Sequence, residues 1–187
     1  QLSIVNEPLA NKHIFEIIDF ASELKFDDLF MVSNASLLNE KNSHKIINSG
    51  LTKIQFSLDG FSSETYEKYR FTKNPKPGQY KKVLNNILQF LKIKKDLNKS
   101  FPLVKVSFIE LEENKHEFKD FKEFWGDKID AIHYQKLIDY EKKSLELTEE
   151  IKKIRCNMPY FRLAIKADGM VRPCCVGFGE KINIGNV

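Results

Sequence analysis

The stretch KIQFSLDGFSSETYEKYR, residues 53–70, joins a strand, a polar exit and a helix start in one run. Lys53–Leu58 alternates and is predicted as a strand, and that alternation aims Ser57 and Asp59 to the same side. Gly60 is expected to let the backbone turn sharply. Ser62-Ser63, followed by Glu64 and Glu67, reads as the polar start of a short helix that reaches Arg70. The same unit recurs outward in both directions. Upstream, strands are predicted at Leu2–Val5 and Leu29–Val32, a helix over about 11–25 and another over Ser43–Ser49, closed by Gly50. Downstream, Pro75, Pro77 and Gly78 break the chain before a helix carrying Val83, Leu84, Ile87, Leu88 and Leu91 on one face. Leu103–Ile109 is a fourth strand, Phe118, Phe121, Phe124 and Trp125 mark a further helix, and Ala131–Tyr134 is a fifth strand.

Strand–helix repetition builds a parallel sheet, because each crossover helix returns the chain for the next strand. Five units suit an open sheet or a partial barrel better than a closed eight-stranded one. Functional groups then belong at the carboxyl ends of the strands. The exits are polar: Asn6-Glu7-Pro8, Ser33-Asn34, Ser57-Leu58-Asp59-Gly60 and Glu110.

Composition narrows the function. Of 187 residues, 42% are hydrophobic and 30% charged, which describes a globular domain rather than a disordered chain. No apolar run is long enough to span a bilayer, and no signal-peptide pattern opens the chain. The net charge of +4 comes mainly from lysines scattered among acids, with arginine only at 70, 155, 162 and 172. That is a solvated mixed surface, so nucleic-acid and membrane partners are not expected. Three cysteines gathered at one end, with no secretory signal, point to a cytoplasmic, reducing setting and to metal or redox chemistry.

Several residues stand out, each with a plainer alternative. Glu7, just past a strand and stiffened by Pro8, suits a cationic ammonium or hydroxyls of a ligand; a solvated turn glutamate reads the same way. Ser33 and Asn34 can donate to a polar ligand or simply cap a loop. Arg70 can fork a ligand carboxylate or pair with Glu67 at the helix end. Among the cysteines, Cys156 and Cys174 bracket an alternating segment that turns at Asp168-Gly169, a two-residue hairpin signal flanked by Leu163, Ile165 and Val171. Counting back from that turn places Cys174 opposite Leu163. No Cys-x-x-Cys pair of the common zinc type is present, and ordinary buried cysteines are the bland alternative.

Taken in order, these residues resemble the radical S-adenosylmethionine (radical SAM) enzymes that carry a SPASM or twitch iron–sulfur extension. Asn6-Glu7-Pro8-Leu9 resembles the family's Gly-Gly-Glu-Pro segment, with Asn6 replacing a glycine. Ser33-Asn34-Ala35 is similar to Thr-Asn-Gly, and Ser57-Leu58-Asp59-Gly60 with Tyr66 and Arg70 to the Ser-x-Asp-Gly…Arg stretch. Asn114 to Trp125 resembles an Asn-x-x-Glu-x-x-x-Phe region. Cys156, twelve residues, Gly169, four residues and Cys174 match the first half of the SPASM cysteine pattern, and Ile184-Gly185-Asn186-Val187 is typical of it. The family's Cys-x-x-x-Cys-x-x-Cys loop is not in the sequence; with Leu2–Val5 read as the second barrel strand, that loop is expected before Gln1, and further extension cysteines after Val187.

The resemblance implies a partial (β/α)6 barrel over 1–138 with about five of six strands, a charged linker or helix over 139–155, and a small β-hairpin iron–sulfur extension over 156–187. It implies S-adenosylmethionine and 4Fe–4S clusters as cofactors, and reductive cleavage to a 5′-deoxyadenosyl radical that abstracts a substrate hydrogen. Glu7, Ser33, Asn34, Ser57, Asp59 and Arg70 are then cofactor contacts, and Cys156 and Cys174, with Cys175 as a further candidate, are ligands of an auxiliary cluster. Implied partners are a peptide, protein or small-molecule substrate and an electron donor such as a flavodoxin or ferredoxin. The alternative is a non-catalytic iron–sulfur binding or interaction module on a barrel remnant.

Overall fold

Alternation decides which face of the sheet is covered. In the computed structural model, which describes residues 1–3, 6–70, 77–136, 160–173 and 182–187, Ile54 and Phe56 are fully buried while Lys53, Gln55 and Ser57 between them are half-buried. The strands β1 (Phe30–Ser33), β2 (Lys53–Ser57), β3 (Leu103–Glu110) and β4 (Ala131–Lys136) form one parallel sheet in that order. Register carries the alternation across it: Met31 pairs with Ile54 and Ile54 with Val104, all buried, whereas Val32 pairs with Gln55 and Gln55 with Lys105. The result is a mixed α/β fold whose sheet has one apolar and one polar face.

Five helices supply the apolar side: α1 (Ile14–Glu23), α2 (Glu40–Asn48), α3 (Ser63–Arg70), α4 (Gln79–Asp96) and α5 (Phe118–Trp125). Phe56 meets Phe90 of α4 edge-on at 5.4 Å, and Phe108 meets Phe121 of α5 at 5.0 Å. Trp125 is fully buried at the end of α5. Four of the five expected strands are in this sheet. The first, Leu2–Val5, is described only at Leu2 and Ser3, which flank β1: Leu2 N–H donates to Phe30 O at 2.8 Å and Val32 N–H to Ser3 Oγ at 2.9 Å. Helix α2 holds most of the expected Ser43–Ser49 stretch and begins where Asn39 caps it, accepting from Asn42 N–H at 2.8 Å.

The turn after β2 differs from expectation in an informative way. The left-handed residue is Asp59, with φ of +56°, not Gly60. Aspartate tolerates that conformation better than most side chains. It is held there from both sides, by Asp59 N–H donating to Ser107 O at 3.1 Å and Asn114 Nδ2 donating to Asp59 O at 3.1 Å. At Gly60 space is tight: a Cβ there would lie 3.0 Å from Thr65 Cγ2. Beyond it, the carboxylate of Glu117, on a short 3-10 turn (Lys115–Glu117), accepts from Phe61 N–H at 2.7 Å, Ser62 Oγ at 2.5 Å and Thr65 Oγ1 at 2.7 Å. Asn114 and Glu117 thus clip the start of α3 onto the sheet.

Contacts divide the chain into Gln1–Leu137 and Ile138–Val187. The second unit contains a three-stranded antiparallel sheet, β5 (Ala164–Ile165), β6 (Met170–Arg172) and β7 (Gly185–Asn186), with β6 central. Here the expected two-residue turn is corrected. Ala164 pairs with Arg172 and Ile165 with Val171, so the loop is Ala167-Asp168-Gly169, closed by Gly169 N–H to Lys166 O at 3.0 Å. Gly169, at φ +80°, takes the left-handed position that three-residue hairpins require. The register is one residue away from the two-residue count, which changes the residue of β6 that each residue of β5 faces. Cys156, Cys174, Cys175 and the 139–155 segment lie outside the described residues.

Two stability predictions follow from this packing. Phe56→Ala should lower the unfolding free energy by about 3–5 kcal/mol, read as a shifted urea midpoint at constant slope. Burial raises the Glu117 carboxyl pKa, but the hydrogen bonds from Ser62, Phe61 and Thr65 prevail and hold it below the ordinary range. Its stabilisation is therefore complete above the unfolded value of roughly 4.3 and is lost as pH falls through the lowered folded value. The stability gap between wild type and Glu117→Gln should be constant near neutrality and close on acidification below that range.

Candidate functional site

Glu7 leaves the first segment and caps the 3-10 turn Pro8–Ala10, accepting from Leu9 N–H at 3.1 Å. Its carboxylate also reaches the exit of β1, where Ser33 Oγ donates to Oε1 at 2.8 Å and Asn34 N–H to Oε2 at 2.7 Å. Ser33 is buried and accepts in turn from Ala35 N–H at 3.0 Å. Three donors occupy about three of the roughly four lone-pair directions of a carboxylate. Oε2, with one donor, keeps an acceptor direction for a further group.

The second half comes from β2, β3 and α3. Asp59 binds Arg70 through Oδ2, and Ser107 Oγ donates to its Oδ1 at 3.0 Å. Ser57 and Ser107 are register partners on the polar face of the sheet. Arg70 therefore pairs with Asp59 rather than with Glu67, whose carboxylate accepts from Tyr80 N–H at 3.2 Å. Among the described residues Arg70 donates one hydrogen bond to Asp59, and the rest of its planar fork is suited to an anion. Beneath this pair the phenols are protonated: burial pushes Tyr66 up, partly opposed by Arg70, and pushes Tyr80 up to about 12.

Ser3, Asn6, Glu7, Val32, Ser33, Asn34, Ser57 and Arg70 line one cavity of about 240 Å³ at the strand exits. It brings together five of the six cofactor contacts expected from sequence. The sixth, Asp59, does not line it and acts on it through Arg70. A carboxylate and a guanidinium on one small polar cavity match the two charges of an amino-acid zwitterion, the ammonium at Glu7 and the carboxylate at Arg70. The volume is below the roughly 300–1,000 Å³ of pockets for whole small molecules, so it suits the amino-acid end of a larger ligand.

Two further residues of the site, not expected from the sequence, are Ser3, whose hydroxyl braces β1, and Ser107, which orients Asp59. The polar parity of Lys105 and Ser107 on β3 is the signal that marks Ser107. Glu110 has the opposite parity: it accepts from Tyr134 Oη and lies 3.7 Å from Lys136 Nζ, away from the cavity lining. Among the described residues no group of three or more His, Cys, Asp or Glu is arranged to hold a metal ion, and no helix is long and apolar enough to cross a membrane.

Comparison with known proteins supplies the relatives. Residues 156–187 match the SPASM iron–sulfur cluster-binding domain. The chain is 31% identical over 146 residues to a probable GTP 3′,8-cyclase of Methanocaldococcus jannaschii, an alignment covering 78% of this chain and 43% of that protein. SuiB of Streptococcus suis shares the fold with a TM-score of 0.66 at 13% identity, over 97% of this chain and 51% of SuiB. Its S-adenosylmethionine complex gives 0.61 at 12%, over 90% and 47%, and its complex with the precursor peptide SuiA gives 0.61 at 14%, over 97% and 50%. The chain thus spans less than half of the cyclase and about half of SuiB. The SPASM segment, the sequence similarity and the shared fold converge on one resemblance: this chain is similar to radical S-adenosylmethionine enzymes that carry a SPASM iron–sulfur extension.

Proposed function

We propose that the cavity at the strand exits holds the methionyl end of S-adenosylmethionine in a radical SAM oxidoreductase or maturase. The observation that carries this reading is the meeting of Glu7 and Arg70 on one cavity, each fixed by its own hydrogen bonds. Glu7 Oε2 accepts from the ligand ammonium, Arg70 donates to its carboxylate, and Ser33, Asn34 and Ser57 supply polar contacts around them. Asp59 positions Arg70. In this reading the four-stranded sheet belongs to a partial (β/α)6 barrel over 1–138, joined by 139–155 to a cluster-binding extension over 156–187.

The chemistry this family draws from its cofactors is reductive cleavage of S-adenosylmethionine by a 4Fe–4S cluster, giving a radical that removes a substrate hydrogen atom. The contribution of this chain is to hold the ligand's charged end rigidly, so that the reacting end meets the substrate in one orientation. The SPASM match supports thiolate ligation of an auxiliary cluster by Cys156 and Cys174, with Cys175 as a further candidate. SuiB's complex with a precursor peptide supports a peptide or protein substrate, and the relationship to a cyclase of GTP keeps a small molecule as the second class. A cytoplasmic setting with a flavodoxin or ferredoxin as electron donor completes the reading.

Two measurements test it on the anaerobically reconstituted whole gene product. Hydrogen bonds to charged groups contribute about 1.5–3 kcal/mol, so Arg70→Ala and Glu7→Gln should each raise the dissociation constant for S-adenosylmethionine by about 10- to 150-fold. Unchanged affinity in both variants would remove the cavity as the site. Replacing both Cys156 and Cys174 by Ala should lower bound iron relative to wild type; equal iron in the two would refute their assignment as ligands.

A further inference from the structure

We propose that Glu117 is a positioning residue for ligand binding, fixing the turn from Asp59 to Thr65 so that α3 delivers Arg70 to the cavity. The inference rests on the reading of that cavity as a ligand site and concerns a residue that does not line it. Glu117 is buried, and no lysine, arginine or histidine forms an ion pair with it among the described residues. A buried carboxylate without a counter-cation is costly unless hydrogen bonds replace its water. Here they do, and all three donors come from one short stretch more than fifty residues away in sequence: Phe61 N–H, Ser62 Oγ and Thr65 Oγ1. Among the described residues its hydrogen bonds go to the loop that begins at Asp59 and to the first turn of α3.

Geometry explains why that loop needs such a clamp. Asp59 holds a left-handed backbone, a conformation that a non-glycine residue keeps only when its surroundings impose it. Asn114 secures the carbonyl of Asp59, and Glu117, one turn later, secures the residues that follow. Helix α3 then runs eight residues to Arg70 at its far end. A helix of that length is about 12 Å long, so a tilt of about 10° at its start displaces Arg70 by about 2 Å. That displacement exceeds the tolerance of a hydrogen bond, and it would separate Arg70 from both Asp59 and a ligand carboxylate. The clamp at one end of α3 therefore governs the guanidinium at the other.

The test compares Glu117→Ala and Glu117→Gln with Val83→Ala, a core variant in α4 that leaves the clamp intact. The readouts are thermal midpoint, amide hydrogen exchange at Phe61 and Thr65, the Arg70 Nε–H resonance, and affinity for S-adenosylmethionine in the reconstituted protein. Glu117→Ala should speed exchange at both amides, shift the Arg70 resonance and weaken binding at least about tenfold, as the loss of a charge-assisted contact requires. Glu117→Gln, which keeps an acceptor for Phe61 N–H, should recover part of the affinity. Val83→Ala should lower the midpoint while leaving affinity within about twofold, since Val83 makes none of the clamp's hydrogen bonds. The proposal is overturned if Glu117→Ala binds like wild type, or if Val83→Ala weakens binding as much as Glu117→Ala. If wild type itself does not bind S-adenosylmethionine, the ligand reading fails. The positioning inference is then decided by the Arg70 resonance, whose shift in Glu117→Ala supports it and whose constancy overturns it.

Discussion

Asp59 is the point on which the site depends. Its backbone turns left-handed at the end of β2, its carboxylate joins Ser107 of β3 to Arg70 of α3, and its carbonyl is held by Asn114. Three secondary-structure elements and one loop are thereby tied to a single residue. An aspartate does there what neither glycine nor asparagine would: it accepts the turn and supplies the negative charge that keeps Arg70 extended toward the cavity. Remove that constraint and the guanidinium, at the end of a short helix, has no fixed place.

Glu7 plays the corresponding role on the other side of the cavity. It is tied to the exit of β1 by Ser33 and Asn34, so the first segment is stitched to the sheet by a side chain as well as by backbone bonds. The arrangement uses the polarity of parallel strands. All exits fall on one edge, and the carboxylate of Glu7 and the guanidinium of Arg70, from separate βα units, meet there without long loops to carry them. Rigid supports of this kind are what holding the charged end of a ligand in one orientation requires.

Much of this was legible in the sequence because it rests on local periodicity. Alternation at Lys53–Ser57 and Leu103–Ile109, and helical spacing in α1, α4 and α5, report burial directly. The polar exits at Glu7, Ser33, Asn34 and Ser57 were visible for the same reason: polar residues interrupt apolar strands where the chain leaves the core. What sequence did not reveal depends on contacts across distance. The partner of Arg70 is eleven residues back rather than one turn away, and the acceptor for the Phe61 loop is Glu117, separated from it by a whole βα unit. Local reasoning also misplaced the turn residue, assigning to Gly60 a freedom used by Asp59, and miscounted the Asp168-Gly169 hairpin by one residue. Tertiary hydrogen bonds settle the first and loop length the second, and neither is written in the pattern of apolar positions.

The central claim is that the cavity between Glu7 and Arg70 receives the amino-acid end of S-adenosylmethionine. A crystal structure of the reconstituted gene product grown anaerobically with S-adenosylmethionine tests it most directly. The account predicts the ligand ammonium within hydrogen-bonding distance of Glu7 Oε2 and its carboxylate on the guanidinium of Arg70. A ligand bound elsewhere on the protein, with Arg70 still paired only to Asp59 and the cavity left to solvent, would contradict it.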